Sequence, residues 1–166
     1  MKKLIAGLLL MVFTTLSAQN NKPVREAFGL KLAVEDNQYY GMDVEQSPYF
    51  VQPKVLQIYP GEKLYIEVEI KKDTIASMKV VANNLHPEKT IEVGFSQEFK
   101  DAKHSHMSLF TNNPFKKDIN FNATMFPVKR NDWVNTSILP TQAGMFHFET
   151  WPDVIVSIVL HDWRIE

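Results

Sequence analysis

The chain has 166 residues, 45% hydrophobic and 11% aromatic, with 18 basic against 19 acidic residues and no cysteine. That balance excludes an intrinsically disordered chain, which is too polar and too charged to bury a core. It also lacks the basic excess of a nucleic-acid binder. Without a thiol there is no disulfide framework, cysteine zinc site, iron–sulfur cluster or thiol nucleophile.

Lys2 and Lys3, the uncharged run from Leu4 to Phe13, and then Thr14, Thr15, Ser17 and Ala18 follow the order of a cleavable secretory signal peptide, with cleavage expected after Ala18. The apolar run is about half of the roughly 20 residues a membrane helix needs, so it reads as a leader and not as an anchor. No Cys follows the site, which excludes a bacterial lipoprotein anchor. No later apolar run is long enough to span a membrane. Residues 1–18 are therefore expected to be signal, 19–27 a short polar lead around Pro23, and 28–166 one domain. The expected location is the periplasm or the medium.

From Phe28 onward the dominant hydrophobic period is two, that of half-buried strands. Leu30, Leu32 and Val34 alternate with polar or small residues. After the Pro60-Gly61 turn signal, Leu64, Ile66, Val68 and Ile70 share one face, while Lys63, Tyr65, Glu67 and Glu69 take the other and read as solvated. Met78 and Val80 precede the turn-like pair Asn83-Asn84. Ile91, Val93 and Phe95 line one face of a short strand from Thr90 to Phe95, after which Gln97 to Lys103 has room for one helical turn. Ile119, Phe121, Ala123 and Met125 oppose Asn120, Asn122 and Thr124. Phe146 and Phe148 are expected to face inward, with His147 and Glu149 outward. Val154 to Ile158, closed by Leu160, is apolar on both faces and reads as a central strand. No amphipathic helix of useful length is present. The expected fold is all-β: a single antiparallel β-sandwich, immunoglobulin-like or jelly-roll, behind a cleavable leader.

Catalytic signatures are missing. There is no G-x-S-x-G elbow, H-E-x-x-H or glycine-rich phosphate loop, the 6 glycines being scattered. A non-catalytic module is expected, with no cofactor. If Ala102 to Phe110 is extended, His104 and His106 project from one face and could share zinc or copper. His147 and Glu149 would complete four donors should those strands be neighbours. Met107 and Met125 fall on core faces, where methionine is filler.

The aromatic residues carry the leading functional expectation. Trp133 follows Asp132, Trp151 precedes Pro152-Asp153, and Tyr39-Tyr40 sits before Gly41. A flat ring beside a polar acceptor can stack on a sugar and bond its hydroxyls. Trp133, Trp151, Asp132, Asp153, Tyr39 and Tyr40 are accordingly the candidate contacts for a glycan or another extracellular ligand, while Trp163 reads as core. The competing expectation is a structural or protein-interaction subunit of a periplasmic or surface assembly. Metal binding through His104 and His106 ranks third.

Overall fold

A computed structural model of the chain describes residues 23–35, 38–101 and 103–166. The expected signal peptide and the first residues of the lead lie outside the described residues. In chain order the strands are β1 (Val24–Arg25), β2 (Phe28–Glu35), β3 (Gln38–Val44), β4 (Ser47–Pro48), β5 (Phe50–Gln52), β6 (Val55–Ile58), β7 (Lys63–Lys71) and β8 (Thr74–Val81). They continue as β9 (Thr90–Lys100), β10 (Lys103–Asn112), β11 (Ile119–Pro127), β12 (Val134–Thr136), β13 (Phe146–Trp151) and β14 (Ile155–Ile165). A single 3-10 turn at Pro87–Lys89 is the only helical element among the described residues.

Two five-stranded antiparallel sheets carry the fold, ordered β13-β10-β9-β7-β8 and β12-β11-β14-β6-β5. Their facing sides form one core in a sandwich-like arrangement. Leu64, Ile66, Ile91, Val93, Phe95, Met107 and Leu109 from the first sheet meet Leu56, Ile58, Ile119, Phe121, Ile158, Leu160 and Trp163 from the second. The period of two in the sequence thus becomes the inner face of each sheet.

β14 lies in the middle of its sheet, between β11 and β6. Its second apolar face is covered by the β2–β3 hairpin: Leu30, Leu32 and Val44 pack with Val154 and Val156 in a separate cluster, joined by Phe28, Tyr40, Met42, Tyr59 and Phe126. Tyr39 and Tyr40 therefore lie within a strand of this hairpin rather than at a turn.

The lead contains a buried anchor. Arg25 is 2% exposed. Its Nε donates to Glu62 Oε1 at 2.6 Å and its Nη2 to Glu62 Oε2 at 3.0 Å. Nη1 donates to Ser47 Oγ and Nη2 also to the Gln57 carbonyl. The guanidinium lies 4.7 Å from the Tyr49 ring centroid and 4.8 Å from that of Tyr59. Burial raises the pKa of both phenols above the ordinary tyrosine value.

Three local expectations are corrected. Gln97 to Lys103 forms no helical turn, because β9 runs on to Lys100 and reverses at Asp101, whose φ of 51° makes the tight turn into β10. Phe146 and Phe148 alternate as expected but on the reverse faces. β13 pairs with β10 so that His147, Glu149 and Trp151 stand opposite Thr111, Leu109 and Met107, all core-facing. The two phenylalanines consequently point outward, 61% and 53% exposed.

Glu67 is the third. It belongs to the outward face of β7 but is nearly buried, beneath Lys79 Nζ at 2.7 Å with Lys89 Nζ and His86 Nε2 both at 3.8 Å. The hydrogen bond from Lys79 holds its carboxyl below the usual glutamate range against the opposing effect of burial. A depressed folded-state pKa contributes stability that is present above the unfolded value of about 4.3 and is lost as pH falls through the folded one. Glu67→Gln is expected to flatten that acid limb while leaving the slope above pH 6 unchanged. Urea midpoints between pH 3 and 7 for the two proteins check it.

Candidate ligand-binding site

The outward face of the second sheet divides in two. One part lies under the β2–β3 hairpin. The other is an open polar row across β12, β11 and β14, which begins at Trp133.

Trp133 immediately precedes β12 and is 44% exposed. Asp132 Oδ1 accepts its backbone N–H at 2.8 Å, which sets the chain entering the strand. The indole meets Phe126 edge-on, with ring centroids 5.4 Å apart, and Phe126 in turn packs into the hairpin cluster. The ring is thereby braced on one side and open on the other.

Two residues along the same side of β12 stands Asn135, directly opposite Thr124 of β11, which is opposite Val159 of β14. Thr124 Oγ1 lies 3.1 Å from Asn135 Oδ1 and 3.3 Å from His161 Nε2. His161 Nδ1 bonds Asp162 Oδ2 at 2.8 Å, and Asn122 Nδ2 donates to that same oxygen at 3.1 Å. The hydrogen bonds from His161 and Asn122 hold the Asp162 carboxyl below its ordinary pKa. Among the described residues, the Asn135 amide hydrogens and Asp162 Oδ1 have no protein partner, so they remain available to a ligand.

A β-bulge makes this arrangement possible. Asn120 pairs with Arg164 but Asn122 with His161, so β14 carries one extra residue against β11, and Asp162 takes a left-handed φ of 53°. The bulge interrupts the alternation. It leaves His161 and Asp162 together outside and turns Trp163 inward, onto Phe121 at 4.4 Å. Beside this row, Phe121, Asn122, Ala123, Asn135, Thr136, Ser137, Ile138 and His161 line a cleft of about 370 Å³ where β12 ends and uncovers β11.

Of the six expected contacts, Trp133 and Asp132 belong to this row and the others do not. The Trp151 indole is partly buried on the core and donates its N–H to Thr136 Oγ1 at 2.8 Å, tying the edge of one sheet to the edge of the other. Tyr39 is exposed on the hairpin beneath Lys31, whose Nζ lies 4.1 Å from the ring centroid. Tyr40 is turned toward the hairpin cluster, its hydroxyl on Met42 Sδ. Asp153 is exposed in the turn before β14. His161, Asp162 and Asn135 were not among the expected contacts. Their one sequence signal is the uncharged polar alternation of Asn120, Asn122 and Thr124 on the neighbouring strand.

The histidine pair is separated. A register shift between His104 and His106 sets them opposite Phe99 and Glu98, neighbours that point to opposite faces of β9. The expected shared face is therefore not realised, and the cause is the bulge at Ser105. Gln97 exchanges hydrogen bonds with the Ala33 backbone, which fixes its amide orientation, and its Nε2 donates to His104 Nδ1. The other ring nitrogen must then carry the hydrogen, and it donates to the Pro152 carbonyl at 3.0 Å. β13 is indeed the neighbour of β10, but His147 stands opposite Thr111 and Glu149 opposite Leu109, and the two bond each other at 3.0 Å. Among the described residues no three His, Asp or Glu side chains are grouped to hold a metal.

No protein-family model matches the chain, and comparison with curated proteins and with solved structures found no match.

Proposed function

We propose that the chain is an exported, non-catalytic β-sandwich module, immunoglobulin-like or jelly-roll in kind, that binds a hydroxyl-rich ligand such as a carbohydrate. The observation that carries this reading is the exposed, braced Trp133 indole in line with Asn135, Thr124, His161 and Asp162. An aromatic face covers the apolar side of a sugar ring, while amide, hydroxyl and carboxylate groups beside it bond the hydroxyls. Both signs of hydrogen-bonding capacity are available in the row, and its charge is small, which suits a neutral polyol better than an ionic ligand. The leader pattern of residues 1–18 supports export to the periplasm or medium.

Tryptophan emission tests the site directly. Trp163 is buried and Trp151 is partly buried with its N–H bonded, so the emission most accessible to acrylamide belongs to Trp133. A soluble glycan that protects this emission is the expected result. Trp133→Ala is then expected to weaken that glycan at least about tenfold, the loss of one stacked ring, with little change in the urea midpoint. If no member of a broad glycan panel alters the emission, or if Trp133→Ala binds as tightly as the unaltered chain, the proposal is wrong.

A further inference from the structure

The two five-stranded sheets have four edge strands, and one of them is unlike the rest. β5 and β12 are each 3 residues long, and β5 also has a register shift against β6. β8 is bulged against β7 and presents Lys79. Short length, bulges, lysine and inward-pointing charge are among the devices by which native edges avoid pairing with another chain. β13 has only the last, and its inward carboxylate, Glu149, is already met by His147 at 3.0 Å and by the Leu139 backbone N–H at 2.6 Å. Its 6 residues, Phe146-His147-Phe148-Glu149-Thr150-Trp151, pair with β10 in unbroken register and contain neither lysine nor proline.

The same strand presents an aromatic cluster outward. Phe146 and Phe148 are each more than half exposed, and together with Phe110 they form a three-ring group with centroids 5.2–6.4 Å apart. Contiguous apolar surface beside an open backbone edge marks an association site.

We propose that this edge pairs antiparallel with β13 of a second copy of the chain, about a two-fold axis at Phe148, so that two of the sheets become continuous. Residues that stand opposite each other in antiparallel strands share a face. With Phe148 opposite the partner's Phe148, the aromatic clusters of the two copies merge on the outward face, and Phe146 meets the partner's Thr150. On the inward face His147 stands opposite the partner's Glu149, and Glu149 opposite the partner's His147. The hydrogen-bonded pair already present within one strand is thus repeated across the interface. Moving the register one pair either way sets Glu149 opposite Glu149, a like-charge pair, or His147 opposite His147, which takes each carboxylate away from the partner's imidazole. Hydrogen-bond complementarity between His147 and Glu149 therefore selects a second copy and one register. This surface belongs to the opposite sheet from Trp133, so the inference stands or fails independently of the ligand-binding reading.

Because the sequence contains no cysteine, any disulfide is an engineered one. Directly opposed residues have Cα atoms about 4.5–5.5 Å apart, within disulfide reach. Mild oxidation of the Phe148→Cys chain is expected to yield a covalent dimer on a non-reducing gel, whereas Lys79→Cys on the β8 edge stays monomeric. Sedimentation equilibrium of the unaltered chain is expected to show a dimer. Phe148→Lys, which opposes two charges at the axis, is expected to raise its dissociation constant on the order of 100-fold or more, with an unchanged far-ultraviolet spectrum. A chain that sediments as a monomer, with Phe148→Cys cross-linking no better than Lys79→Cys, overturns the proposal. So does a dimer that survives Phe148→Lys unweakened.

Discussion

Replacing Arg25 by alanine is expected to destabilise the chain by about 3–5 kcal/mol, enough to leave a marginal domain largely unfolded. The magnitude follows from what remains behind. Glu62 would keep a largely buried carboxylate facing an empty space, and the Ser47 hydroxyl and the Gln57 carbonyl would each lose a donor. The rings of Tyr49 and Tyr59 would lose the flat cation between them. β1 is only 2 residues long and pairs with an equally short β4, so its backbone adds little to hold it in place. The side chain docks the strand. Arg25→Lys is expected to be almost as damaging, since an ammonium cannot reproduce the two-pronged contact with Glu62 or lie flat between two rings. The double change Arg25→Met with Glu62→Leu removes both charges together and is expected to be more stable than either single change. Urea unfolding of the four proteins checks the ranking. An Arg25→Ala chain within 1 kcal/mol of the parent would show that water reaches the guanidinium and that the contact is superficial.

Trp163→Ala is expected to cost about 3–5 kcal/mol, the range for removing a large buried aromatic from a core. Its indole is buried among both sheets, packs on Phe121 and donates its N–H to the Leu160 carbonyl at 3.3 Å. The loss is expected to reach the polar row as well. The bulge at Asp162 spends left-handed backbone strain to turn Trp163 inward, and without the ring that conformation has less to hold it. Ligand affinity at the Trp133 site should therefore fall in Trp163→Phe, a variant mild enough to stay folded, although residue 163 touches no ligand. Unchanged affinity in Trp163→Phe would separate the bulge from the ring that fills the core beneath it.

Much of the fold was legible along the chain because side-chain direction in a strand repeats every second residue. Ile91-Val93-Phe95, Leu64-Ile66-Val68 and Ile119-Phe121-Ala123 were read as inward from that period alone and are buried, whereas Ile70, read with the second set, is 38% exposed where β7 and β8 shift register, and Met125, read with the third, is only partly buried. The central position of β14 was legible for the same reason: only a strand covered on both sides carries apolar residues at successive positions. The candidate site was legible in one residue and its neighbour, Trp133 and Asp132. Asn135, Thr124 and His161 lie on three strands and meet only through strand pairing, which leaves no trace in local spacing.

The sequence by itself determined that this protein is built of strands, most with one apolar face and β14 with two, because alternation and its interruption are properties of consecutive residues. Tertiary structure decided which face of β13 points inward, since Phe146 and Phe148 and the His147-Glu149-Trp151 set are both bulky and only the register with β10 selects between them. It also decided that His104 and His106 part company and that His161 and Asp162 come together. Each depends on one extra residue in a strand, and an extra residue is defined only against the partner strand that lacks it.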